Sequence, residues 1–146
     1  MRFLSGGLCL AAAALLTSCH PSPQTLPPSD TAGVRTVLGF LRAYGQRDLD
    51  GMMGHLAEDA VFLGSGPALS KPQIRAFFQT TFRNHPNLRV NVGSVKTLQG
   101  AIHVSVRVET STVWADTWIF QMRHDKIRAY SLASGNRQVR PITSSG

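Results

Sequence analysis

The hydrophobic pattern changes period once, near residue 85, and that change restricts this chain more than any other feature of its sequence. Before it, apolar residues recur at three-and-four spacing: Val34, Val37, Leu38, Leu41 and Tyr44 form one stripe, and Ile74, Phe77, Phe78 and Phe82 another. After it the period is two. Leu88, Val90 and Val92 alternate with polar residues; Ile102, Val104, Val106 and Val108 alternate with His103, Ser105, Arg107 and Glu109; Trp114, Asp116, Trp118, Phe120 and Met122 share one parity. Helices first and alternating strands later make an α+β domain, with antiparallel strands covered on one face by helices. At 146 residues the chain has room for one such domain.

The element boundaries follow from capping and turn chemistry. Ser29 or Asp30 is expected to cap the first helix, and Asp48 a second short one that turns Leu49, Met52, Met53 and Leu56 inward. Ala60 to Leu63 reads as a short strand, and Gly64-Ser65-Gly66-Pro67 as a loop. Ser70-Lys71-Pro72-Gln73 has the spacing of a capping box for a third helix reaching about Arg83. A turn at His124-Asp125 leads to a last strand from Lys126 to about Ser134. The domain is expected to span 31–140, followed by a flexible tail, 141–146.

The first thirty residues read differently. Arg2, the apolar run Phe3 to Leu16 and the small residues Thr17 and Ser18 before Cys19 have the layout of a secretory signal, 1–18. The run of about 14 residues is shorter than the roughly 20 that a spanning helix needs. Leu16-Thr17-Ser18-Cys19 resembles the bacterial lipobox, whose cysteine becomes the lipidated first residue. The resemblance implies a membrane anchor at Cys19 and a cell-envelope address. His20, in place of the Asp that marks inner-membrane retention in enteric-type sorting, points to the periplasmic side of an outer membrane in a diderm. The alternative is an ordinary secreted or periplasmic protein cut nearby. Residues 19–30 carry Pro21, Pro23, Pro27 and Pro28, the composition of a semi-rigid tether.

Cys9 and Cys19 are the chain's two cysteines, so none remains in the body for a disulfide or a thiolate metal site. His85, His103 and His124 are scattered without metal-ligand spacing, and neither a metal nor a cofactor is expected. The chain carries 15 Lys and Arg against 8 Asp and Glu, a formal net charge of +7. These basic residues are dispersed rather than interleaved with aromatics, which argues against nucleic acid. Beside an anionic membrane the same charge gives surface attraction.

The stretch FLRAYGQRDLDGMMGHLAEDAVF, Phe40 to Phe62, resembles the opening of NTF2-like domains of the SnoaL-like and ketosteroid-isomerase-like kind. Arg47 to Asp50, Ala57 to Val61, the helix from Pro72 to Phe78 and the hairpin from Arg123 to Ile127 carry it. The resemblance implies a cone, a strongly curved antiparallel sheet around three helices, with an apolar pocket at one end and frequent dimers through the sheet. In the isomerases an aspartate base works with a tyrosine and a protonated aspartate. Gapless alignment puts Gly64 at the base, Phe40 at the tyrosine and Trp118 at the second aspartate, so that chemistry is not carried over.

Two residues break the local pattern. Asp116 aims a carboxylate at the apolar side of its strand, which requires a partner or protonation. His55, between Met53 and Leu56, is a candidate base with Asp116 as its orienting partner, and Tyr44 a candidate phenol donor. Phe40, Phe78, Trp114 and Trp118 are expected to line the pocket. Three readings result: a module that holds a small hydrophobic molecule or a partner protein, an isomerase-, cyclase- or hydrolase-type enzyme built on Asp116, His55 and Tyr44, and a structural envelope subunit without a ligand.

Overall fold

A computed structural model describes residues 31–133. The leader, Cys19, the proline-rich segment and the tail, all expected from sequence, lie outside the described residues, as do Ser29, Asp30 and Ser134. Helix α1 runs Ala32–Gln46 and buries Val34, Val37, Phe40, Leu41 and Tyr44. Its cap is Thr31, whose hydroxyl accepts the Val34 N–H at 3.1 Å, rather than Ser29 or Asp30. It ends where Arg47 turns left-handed at φ 57°, and the Arg47 guanidinium donates to the Pro86 carbonyl.

Helix α2 is short, Leu49–Gly54, capped by Asp48, whose carboxylate accepts the Gly51 N–H at 2.9 Å. Gly51 and Gly54 give it little intrinsic propensity, and it stops before His55. Leu56, expected on this helix, instead opens strand β1, Leu56–Leu63. After the glycine loop come a two-residue strand β2, Leu69–Ser70, which the sequence reading did not include, and helix α3, Lys71–Asn84. Gln73 reaches back to accept the Ser70 N–H at 2.9 Å, as its spacing implies.

Strands β3 (Arg89–Leu98), β4 (Ala101–Glu109), β5 (Val113–Arg123) and β6 (Lys126–Leu132) complete one six-stranded sheet, in the order β2-β1-β6-β5-β4-β3. The sheet is mixed: β1 pairs parallel with β6 and every other pair is antiparallel. The all-antiparallel expectation fails because alternation reports which face of a strand is covered and says nothing of its neighbour or direction. The register slips between Val92 and Val95, between Gln121 and Met122 against β6, and between Leu56 and Val61 against β6. Extra residues at such points bend and twist a sheet, and here they accompany its wrapping around the helices.

The concave face is built of cross-strand rows. One joins Phe62, Tyr130, Phe120 and Ile102; the next joins Leu132, Trp118 and Val104; then come Asp116 with Val106 and Trp114 with Val108. Helices α1 and α3 cover the first two rows. Phe40, fully buried, meets Phe78, Phe120 and Tyr130 with ring centroids 5.6–6.3 Å apart.

Candidate functional site: an aromatic cavity

Where α3 diverges from the open end of the sheet, the concave face leaves a cavity of about 530 Å³. Most walls are apolar or aromatic, supplied by β5 and β6 on one side and α3 with the 63–67 loop on the other. Trp118 and Tyr130 stack with ring planes 10° apart and centroids 5.9 Å apart, and Phe62 stacks on Tyr130 at 4.7 Å. Tyr44 reaches the inner wall from α1, edge-on to Phe78 at 5.0 Å and 5.7 Å from Trp118. At the mouth, Leu63, Phe77 and Trp114 stay 45–48% exposed, an unusual outlay of large apolar side chains at one opening.

The polar groups here are few. Asp116 and His85 are half-buried lining residues, and among the described residues no lysine or arginine lines the cavity. Burial pushes the Tyr44 and Tyr130 phenols well above their ordinary 10.0, and the neighbouring Tyr44 pushes Tyr130 further, so both hydroxyls keep their protons at neutral pH. The Tyr130 hydroxyl is buried with no hydrogen-bond partner among the described residues.

The residues singled out from sequence divide sharply. Tyr44, Phe78, Trp114, Trp118 and Asp116 line this one cavity. Phe40 does not: it lies in the core with no exposure. His55 does not either. Its ring packs on α1, so close to Gly39 that a Cβ there would come within 2.7 Å of the ring Cε1. Its backbone carbonyl accepts the Ile127 N–H at 2.9 Å. Burial and then nearby Lys126 hold its pKa below the ordinary 6.5.

Ile127 pairs with Met122 on β5, whereas Asp116 lies six positions back along that strand, so His55 and Asp116 are separated by about 20 Å of strand. The expected acid-base pair is not assembled. Asp116 instead faces Val106 across the sheet, and its carboxylate accepts the Thr117 N–H at 2.7 Å. Among the described residues, no three His, Cys, Asp or Glu side chains gather in a group that could hold a metal ion.

Among the lining residues that the sequence reading did not single out for the site, His85, Phe62 and Tyr130 are the most telling. His85, the residue that caps the end of α3, continues the interval of four from Phe77 and Thr81 on the cavity side of that helix, a signal that was present. Phe62 and Tyr130 depend on strand pairing. Between Ile127 and Tyr130, β6 advances three positions while β5 advances two, from Met122 to Phe120. That slip turns Tyr130 inward, against the alternation that starts at Ile127.

Comparison with curated protein sequences finds no match. Among solved structures the chain is similar to an uncharacterized cystatin-fold protein from Novosphingobium aromaticivorans, at 13% identity and a TM-score of 0.63 over 70% of this chain and 97% of that one. It is similar to an LEH-like epoxide hydrolase from M. tuberculosis, at 15% identity and a TM-score of 0.59 over 72% and 84%. A third similar structure is a protein of ketosteroid isomerase-like fold from Catenulispora acidiphila, solved with trimethylamine, at 13% identity and a TM-score of 0.60 over 71% and 88%. At these identities the likeness is one of fold. The SnoaL-like domain profile matches residues 37–130, α1 through the Tyr130 row. With that match and this curved sheet around three helices, the chain belongs to the SnoaL-like family and has the NTF2-like fold.

Proposed function

We infer that this is an exported, lipid-anchored binding domain, which holds a small hydrophobic molecule in its aromatic cavity and does not transform it. One observation carries the reading: the cavity is large enough for a ligand of ordinary size, its walls are aromatic, and the acid-base pair expected there is not assembled. Burying apolar ligand surface is favourable by roughly 25 cal/mol per Å², so a flat hydrocarbon of modest size gains enough to bind without any charged contact. With no lysine or arginine among the described lining residues, an uncharged molecule is the better fit.

Titration with N-phenyl-1-naphthylamine, a neutral and flat fluorophore, tests this. Its emission is expected to rise saturably at one molecule per chain. Thr81→Trp, which fills the mouth from α3, is expected to weaken binding at least tenfold with an unchanged circular dichroism spectrum. Equal binding by both proteins would sink the reading. The rival, a SnoaL-like enzyme, draws on Asp116 and His85 lining the same space. It requires that a captured molecule be recovered altered, which mass spectrometry of the released ligand decides.

A further inference from the structure

The sheet has an open edge in its middle, beside the cavity mouth. Strand β5 is paired on both sides from Trp118 to Phe120, but β6 stops at Leu132, so from Val113 to Asp116 β5 is paired with β4 alone. Among the described residues no strand lies along the other side. The last rung there is the Ala133 N–H, which donates to the Thr117 carbonyl at 2.9 Å. Successive residues of an antiparallel strand turn their backbone groups to alternate sides, so Ala115 and Val113 aim N–H and C=O the same way as Thr117, toward that edge. Ala115 is exposed, and it borders the cavity although its side chain belongs to the outer face beside Arg107, so the edge itself is one lip of the mouth. Exposed Trp114 stands on the same stretch. Four residues of edge, about 13 Å, are a template for one more strand.

We propose that residues 134–137 of this chain fill the edge, carrying β6 on along β5 and closing that side of the mouth. The place where the described chain ends selects this occupant over a separate one. Ser134 follows directly from the residue that makes the last rung, so it is held at the start of the edge at a local concentration that no free strand matches. The register is fixed by the pairs already formed. Trp118 with Leu132 and Ile119 with Ser131 put Ser134 opposite Asp116, Gly135 opposite Ala115, Asn136 opposite Trp114 and Arg137 opposite Val113. Gly135 and Arg137 then supply N–H groups to the Ala115 and Val113 carbonyls, and the first proline after β6, Pro141, falls beyond the end of β5. Alternation places Ser134 and Asn136 on the cavity side, as it does Leu132. The segment thus brings two uncharged polar residues to a mouth whose large exposed side chains are Leu63, Phe77 and Trp114. This holds whatever the cavity contains.

Backbone amide exchange tests it without a ligand. In the full chain the Val113 and Ala115 amides are expected to exchange about tenfold more slowly than in a chain ended after Ala133, with Val104, central in the sheet, equally protected in both. Gly135→Pro/Arg137→Pro keeps the length but removes both donors, and should speed the same two amides as truncation does. Fast exchange at Val113 and Ala115 in the full chain, or slow exchange that survives both truncation and the double variant, overturns the assignment. So does protection that rises with protein concentration, which gives the edge to a second copy. None of these results touches the binding function, which the fluorophore titration decides separately.

Discussion

At the scale of single residues, Tyr130 carries a polar group that its surroundings leave unsatisfied. A buried hydroxyl without a partner costs about 1–3 kcal/mol, and truncation to phenylalanine removes that cost while keeping the ring that four neighbours grip. Tyr130→Phe is therefore expected to stabilise the ligand-free chain by about 1 kcal/mol in chemical denaturation, which for a domain of this size raises Tm by roughly 4–8 °C. A loss of stability would mean that the hydroxyl is already satisfied. Legibility at this scale followed the local period. Trp118, Phe78 and Tyr44 line the cavity and were visible because each sits on an undisturbed strand or helix stripe. Asp116 was rightly read as facing the apolar side, but its distance from His55 depends on strand pairing, which no local pattern encodes. Phe40 shows the opposite limit: the most buried face of a helix and a cavity-lining face look alike in sequence.

At the scale of elements, His55 belongs to the joint between α1 and the end of α2. Glycine costs about 1 kcal/mol relative to alanine inside a helix, so Gly39 needs a reason, and the reason is the imidazole resting on it. Gly39→Ala alone is expected to be neutral or destabilising, because the new methyl group and the ring compete for one space. In a His55→Ala background the same substitution should stabilise by about 1 kcal/mol. The coupling is read from a double-mutant cycle by urea denaturation, and additive effects would contradict the contact. The helices were legible nearly to their ends because caps and stripes are local. Asp48 caps α2 and Gln73 closes the start of α3, both as their spacing implies. Strand β2 was not: two residues, Leu69 and Ser70, are too few to show any period, and they are strand only because Val61 and Phe62 pair with them.

At the scale of the whole molecule, the proposed anchor fixes where the cavity works. Cys19→Ser is expected to move the protein from the membrane fraction to the soluble fraction of its host cell; unchanged fractionation would refute lipidation. Charge assists such a placement. After Cys19 the chain keeps 14 basic residues against 8 acidic ones, and each that nears an anionic surface adds about 1 kcal/mol. Fold class was legible at this scale from the single switch in hydrophobic period, whereas strand order was not, since it is settled by the parallel pairing of β1 with β6. That pairing also sets an order of events. Leu56 meets Ile127 across roughly 70 residues of chain, so the sheet closes only after its final strand has been made and delivered. Until then neither Phe62 nor Trp118 has Tyr130 to stack on. The aromatic cavity is thus the last part of the fold to come into being, and an interrupted synthesis that loses β6 yields a chain whose remaining strands cannot enclose it.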